Sequence, residues 1–330
     1  MAPPADPDAV PGLRWSLELV PDGVRADLAV LNALARVGVA VTRSAVQRAF
    51  AAGLVTVAGK PLRPASVATS RLRVEVELVA PRPLRAEPEA IPLVIVHEDD
   101  ALVVIDKPAG MPVHAGPGHP RGTLVNAILG HLGVGPEALP VLPGNDATRP
   151  GIVHRLDKNT SGLLVVAKHA AAQEHLAAQF RRHTIGRAYL GIVHAVPSWT
   201  QLRLDTGHGR DPADRRRFSA EVGGRRAITD AVVQRVLHGA AVVRFALHTG
   251  RTHQIRMHAR KLGHPILGDV LYGHVPADPR VRAAVSELNR HALHAAELSF
   301  EHPDGRMLAW VSPLPSELAS IVDALAEPPA

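Results

Sequence analysis

The densest run of polar and reactive side chains is Gly151-Ile-Val-His-Arg-Leu-Asp-Lys-Asn-Thr-Ser-Gly162, a turn-rich stretch feeding the apolar run Leu163–Ala167. Asp157 stands there between Arg155 and Lys158. A carboxylate flanked by cations suits a nucleophile or a base, and equally a capped turn whose side chain satisfies backbone N–H groups. Asn159, Thr160 and Ser161 can tie the loop backbone through local bonds. A second run, Leu247-His-Thr-Gly-Arg-Thr-His-Gln-Ile-Arg-Met-His258, puts Arg251 where a strand turns at Gly250 into a helix. An arginine at that junction can bind a phosphate or pair with a distant carboxylate. Tyr189, one of 2 tyrosines, lies in the strand-like Arg187-Ala-Tyr-Leu-Gly191. There it either fills the core or offers a face for base stacking.

Other chemistries lack their marks. The chain has 19 histidines but no HExxH, and His248, His253, His258 and His264 do not recur on one helical face. It has no cysteine, which excludes a disulfide scaffold, cysteine zinc sites, iron–sulfur clusters and thiol catalysis. No phosphate loop, dinucleotide fingerprint or serine-hydrolase elbow is present. Asp157-Lys-Asn-Thr160 faintly resembles an aspartyl-phosphate motif, but His154-Arg-Leu precedes it in place of an apolar strand.

These residues need elements to hold them. Val24, Leu28, Leu31 and Leu34 form a helical stripe, and Thr42 can cap a second helix that Gly53 ends. Leu54–Ala58 reads as a strand, and Leu72–Leu78 alternates apolar and charged residues as a half-buried strand does. Residues 24–79 are thus expected to form a helix–helix–strand–strand module after a loose tail over 1–23. Prolines 81, 83, 88 and 92 mark a stiff linker over 80–92. In the large domain, 93–330, strands are expected at 94–96, 102–105, 163–167, 188–194, 228–237, 241–248, 292–300 and 307–311. Helices are expected at 124–132, 170–182, 252–262 and 316–326. Strand-rich stretches without regular β-α-β alternation point to an α+β fold with a mixed or antiparallel sheet.

At 330 residues the chain has room for two domains. No apolar run approaches the length of a membrane span, and the N-terminus lacks the pattern of a secretory signal, so a cytoplasmic protein is expected. Residues 25–79 hold eight basic and three acidic side chains, nearly all of the net charge of +6. A small basic module on a nearly neutral body suggests a nucleic-acid anchor. Arg43, Arg48 and Lys60 are its candidate RNA contacts.

The segment Gly151–Leu164 resembles the signature of the Rlu-type pseudouridine synthases of bacterial RNA. His97–Met111, His248–Arg256, Gly268–Gly273 and Leu293–Leu298 resemble further segments of that family, in order. Residues 24–79 are similar to the small ribosomal-protein-like αL domain that precedes the synthase domain in many members. The resemblance implies isomerisation of uridine in structured RNA, foremost large-subunit ribosomal RNA, by a monomer using neither cofactor nor metal. It places the catalytic aspartate at Asp157, the active-site tyrosine at Tyr189 and the active-site arginine, expected to hold the aspartate, at Arg251. Arg155 would enter the RNA stack in place of the flipped uridine. Phe218-Ser219 departs from the Met-Ala that members often carry.

Overall fold

The computed structural model describes residues 13–39, 41–78, 86–116, 119–143 and 148–326, in two compact units, Met1–Pro83 and Leu84–Ala330. In the first unit, Leu-Arg-Trp-Ser-Leu-Glu-Leu forms β1 (Leu13–Leu19). The chain continues through α1 (Ala26–Arg36), α2 (Arg43–Ala51), β2 (Val55–Val57), β3 (Lys60–Pro61) and β4 (Leu72–Leu78). β1 lies antiparallel to β4 over its whole length, and the sheet order is β1-β4-β2-β3. Thr42 caps α2 by accepting from the Ala45 N–H. Val30 and Leu34 of α1 and Val46 and Phe50 of α2 close a core over Leu17, Leu19, Val55, Val74 and Val76.

One expectation is corrected here. The tail over 1–23 is not loose throughout, because residues 13–19 are a paired strand; residues 1–12 lie outside the described residues. Part of the expected stiff linker over 80–92 packs on the second unit. Ala86 is fully buried, the Asn126 side-chain amide donates to the Glu87 carbonyl at 2.6 Å, and the Glu89 N–H donates to the Asn126 carbonyl at 2.9 Å. Residues 79–85 lie outside the described residues.

The second unit runs through β5 (Val94–Glu98), β6 (Leu102–Lys107), α3 (Leu124–Leu132), β7 (Ser161–Ala167), α4 (Ala170–Arg182) and β8 (Gly186–His194). β9 (Gln201–Thr206), β10 (Gly209–Arg210), β11 (Phe218–Ser219), β12 (Ala227–Leu237) and β13 (Ala240–Leu247) follow. The chain then forms α5 (Gln254–Lys261), α6 (Pro279–Ala284), β14 (Leu293–Glu301), β15 (Met307–Val311) and α7 (Ser316–Ala324). Nine strands make one mixed sheet in the order β5-β6-β7-β14-β8-β13-β12-β9, with β15 on β14. The fold is α+β. β10 and β11 make a separate small hairpin.

Both faces of the middle of this sheet are covered. Val103, Ile105, Leu164 and Val166 face one core, and Leu102, Val104, Leu163 and Val165 face another built with Leu176 and Phe300. Burial on both faces explains why Leu163–Ala167 is apolar throughout instead of alternating. β7 and β14 are parallel and meet at Ser161–His294 and Gly162–Ala295. A side chain at Gly162 would stand 2.3 Å from the Ala295 carbonyl oxygen, and its φ of +113° also favours glycine. That close approach brings the loop before β7 to the strands that carry the rest of the site.

Candidate active site

The loop ending at β7 is held from several sides. The Lys107 ammonium, fully buried, donates to the carbonyls of Pro108, Met111 and Lys158 at 2.7, 3.0 and 3.2 Å. Burial, reinforced by the Arg290 charge, pulls this lysine down to about 7. The Gly110 N–H also donates to the Lys158 carbonyl, and the Arg290 guanidinium donates to that of Asn159. Thr160 bonds His291 through its hydroxyl at 2.8 Å. Leu156 points into the core. Beneath the loop, the His154 ring stacks on Phe180 and accepts the Val165 N–H. Burial pushes this imidazole down to about 3, so it is neutral.

Among the described residues, Asp157 has one close cationic partner, Arg256. The Arg256 Nη1 donates to Asp157 Oδ2 at 3.0 Å. Its other edge forms a fork on Asp269, with Nε to Oδ2 at 2.6 Å and Nη2 to Oδ1 at 2.8 Å. Such forked, charge-assisted pairs are strong and directional. Burial opposes the Arg256 charge, but the two carboxylates outweigh it and hold the guanidinium above its ordinary value. Asp269 is fixed in turn by the N–H groups of Leu271 and Tyr272.

The expectation that Arg251 holds Asp157 is therefore corrected. The Arg251 side chain turns to the Arg226 carbonyl, to which its Nε donates at 3.3 Å. The cause is helical geometry. Gln254 pins the start of α5, accepting from the Thr249 hydroxyl and the Arg251 N–H and donating to Ile228 and Thr229. Arg256 then lies on the first turn of α5 and reaches the Asp157 loop. Arg251 still lines the same cavity.

That cavity, about 260 Å³, is walled by Asp157, Arg155, Tyr189, Arg251 and Arg256, with Leu156, Leu247 and Leu293 as apolar surface. Tyr189 is 7% exposed in the middle of β8. Burial raises its phenol above the ordinary value, and its hydroxyl makes no hydrogen bond to a described residue. Arg155 is exposed at the rim. His253 sits 4.0 Å from Asp157, too far for a hydrogen bond, and bonds the Tyr272 hydroxyl instead. The β10–β11 hairpin abuts this corner: the Phe218 N–H donates to the Tyr272 hydroxyl at 2.7 Å. Arg43, Arg48 and Lys60 belong to the first unit. Arg43 lies 3.6 Å from the buried Asp27, whereas Arg48 and Lys60 are exposed without an ion pair among the described residues.

Sequence reasoning missed Arg256, Asp269 and Lys107. All three lie inside segments singled out above, but no spacing rule distinguishes Arg256 from Arg251.

Residues 101–261 match the model of the family described as RNA pseudouridylate synthase. A protein of Zymomonas mobilis named ribosomal large subunit pseudouridine synthase D is 41% identical over 74% of this chain and 76% of its own. The chain belongs to the Rlu-type RNA pseudouridine synthases. The synthase is 44% identical to a Nitrosomonas europaea protein of the same name over 72% of the chain and 66% of that protein. It is 38% identical to the chloroplastic RNA pseudouridine synthase 2 of Arabidopsis thaliana over 86% of the chain and 77% of that protein. Its fold is similar to that of human RNA pseudouridylate synthase domain containing 4, with a TM-score of 0.55 and 25% identity over 70% of this chain and 92% of that one. The synthase isomerises uridine to pseudouridine in RNA. Among the described residues, no helix is long and apolar enough to cross a membrane.

Proposed function

We propose that the synthase modifies structured large-subunit ribosomal RNA in the cytoplasm, with Asp157 as its reactive group and without metal or cofactor. The observation that carries this reading is the Asp157–Arg256–Asp269 chain at the wall of a cavity that Tyr189 also lines. Pseudouridine formation breaks the N1–C1′ bond of uridine, turns the uracil and joins C5 to C1′. The base must leave the stack to be reached, so a cavity with an exposed cation at its rim suits it. Arg155 is that cation, exposed and able to take the place of the extruded base.

Inside the cavity a carboxylate oxygen of Asp157 acts on the sugar or the base, as nucleophile or as base. Arg256 keeps that carboxylate in one place through the reaction. Arg251, at the mouth of the same cavity, binds the RNA and not the carboxylate. Tyr189 stacks on the uracil and presents a free hydroxyl for proton transfer at C5. In the first unit Arg48 and Lys60, which carry no ion pair among the described residues, anchor RNA phosphates, and Arg43 does so from its place beside Asp27.

The ribosomal assignment leans on the names of the bacterial relatives and on the basic first unit. It is tested by mapping pseudouridine in ribosomal and transfer RNA from cells with and without the gene. Loss of large-subunit sites is expected. Loss confined to transfer RNA would overturn the ribosomal assignment and keep the enzyme class.

A further inference from the structure

One cation of the catalytic cavity, Arg187, touches neither Asp157 nor its partners. Arg187 lies two residues before Tyr189 on β8, so both side chains point to the same face of the sheet. Its Nε is buried without a hydrogen-bond partner, and the guanidinium makes no hydrogen bond or ion pair to a described residue. It packs over the Phe180 ring at 5.1 Å and presses against Gly250, where a Cβ would meet its Nη1 at 2.7 Å. Three other guanidiniums in this unit hold carboxylates: Arg244 holds Glu297, Arg256 holds Asp157 and Asp269, and Arg290 holds Glu317. A sheltered cation without a countercharge is costly, and burial already pulls Arg187 below the ordinary arginine value.

Arg187 also stands at a boundary. It lines the catalytic cavity and a second one of about 390 Å³ on the same unit. The two share His183, Arg187 and Leu247. The second cavity is walled further by Ala246, Ser299, Ala309 and the half-buried Trp310, together with His248 and the paired Arg244 and Glu297, so its surface is mixed polar and apolar with the Glu297 carboxylate neutralised by Arg244. Its volume is within the range, roughly 300–1,000 Å³, of ordinary small-ligand pockets.

We propose that Arg187 binds the phosphodiester next to the target uridine, and that the second cavity seats the adjoining nucleotide. The inference rests on the catalytic cavity receiving the uridine. A phosphodiester supplies the countercharge Arg187 lacks, and its two free oxygens match the forked geometry of a guanidinium. RNA is continuous, so a nucleotide placed beside Asp157 must have a phosphate within one backbone step. A base in the second cavity finds the Trp310 ring among its walls, a surface on which any base can stack. The second cavity would then help choose which uridine is modified.

The test uses the full chain and an in vitro transcript of large-subunit ribosomal RNA, unmodified. Binding is measured over a range of salt concentrations, and pseudouridine formation is followed in parallel. Arg187→Gln should flatten the log–log salt slope of binding by about 0.7–0.9. It should raise KM about tenfold or more, by more than it lowers kcat. Arg187→Lys, which keeps the charge, should recover part of the loss. A short RNA with a neutral methylphosphonate on one side of the modified uridine should bind the wild type more weakly, and Arg187→Gln no more weakly than unaltered RNA. Ala309→Trp, which fills the second cavity from its exposed rim, should raise KM and leave the melting temperature near that of the wild type.

An unchanged salt slope, or methylphosphonate losses on both sides that simply add to that of Arg187→Gln, would overturn the proposal. If Arg187→Gln does not fold, the wild type and Arg187→Lys with the methylphosphonate RNAs decide, and no loss of binding from a methylphosphonate on either side of the uridine would overturn the proposal. A wild type that binds the transcript and makes no pseudouridine sinks the uridine reading, while the binding slope still reports on Arg187.

Discussion

Asp157 and Arg256 meet through a single 3.0 Å contact, and the rest of the Arg256 fork is spent on Asp269. This division of labour predicts an order of effects. Asp157→Asn is close to isosteric and should keep the fold and RNA binding, yet reduce turnover below a few per cent, since removing the reactive group of a concerted site removes most of its rate. Arg256→Gln should lower kcat by about 100-fold, because it releases the carboxylate and strands a buried Asp269. Arg251→Gln should act mainly on KM, because its guanidinium does not touch Asp157. Steady-state kinetics on one RNA substrate separate the three. Equal kcat losses at Arg251 and Arg256 would contradict the geometry. The Asp157 loop was legible from its polar density and position before an apolar strand. The partner was not, because choosing between two arginines five residues apart requires knowing where α5 begins, and Gln254 settles that through long-range bonds to Ile228 and Thr229.

At the scale of elements, β1 shows how a periodic signal is lost. Leu13, Trp15, Leu17 and Leu19 alternate with Arg14, Ser16 and Glu18, the pattern of a half-buried strand. It directly follows a proline-rich stretch, which hides it in the sequence. Its long-range pairing with β4 changes the charge of the module too, since Glu18 binds Arg71 at 3.0 Å and Glu77 binds Arg14 at 2.9 Å. Two of the basic module's expected features thus separate: some of its cations are paired within the sheet, while Arg48 and Lys60 stay free among the described residues. Leu19→Ala should cost the first unit about 2–4 kcal/mol in denaturant unfolding, because Leu19 is 1% exposed in a small core. A cost below about 1 kcal/mol would mean that β1 is not part of that core. Replacing Arg48 and Lys60 together by Gln should flatten the salt dependence of RNA binding by about 1.4–1.8 units, or about 0.7–0.9 per contact. An unchanged slope would make them ordinary solvated side chains. In the second unit, long periodic segments such as Ala170–Arg182 and Met307–Val311 were readable, whereas α6 and the two-residue β10 and β11 are too short to carry a period.

The whole molecule carries a pH signature from its buried histidines. Burial lowers His154 to about 3, and His194, His258 and His291 to about 4. These rings are neutral in the fold, whereas the unfolded chain protonates them near the ordinary value of about 6.5. Their folded values are depressed, so the stability they support is fully present above about pH 6.5 and is lost as pH falls towards 4. Near pH 5 these four sites together take up about four protons on unfolding. Denaturant melts between pH 7 and pH 4.5 should therefore show stability falling steeply, before most carboxylates titrate. A flat profile across that window would contradict the buried, neutral rings. The central claim is chemical, that Asp157 isomerises uridine in large-subunit ribosomal RNA without a metal. The most direct measurement incubates purified protein with an unmodified large-subunit ribosomal RNA transcript and a metal chelator, then maps pseudouridine by mass spectrometry. Wild type should create pseudouridine at one or a few defined positions, and Asp157→Asn should create none. No pseudouridine with the wild type, or the same positions converted by Asp157→Asn, would contradict the account.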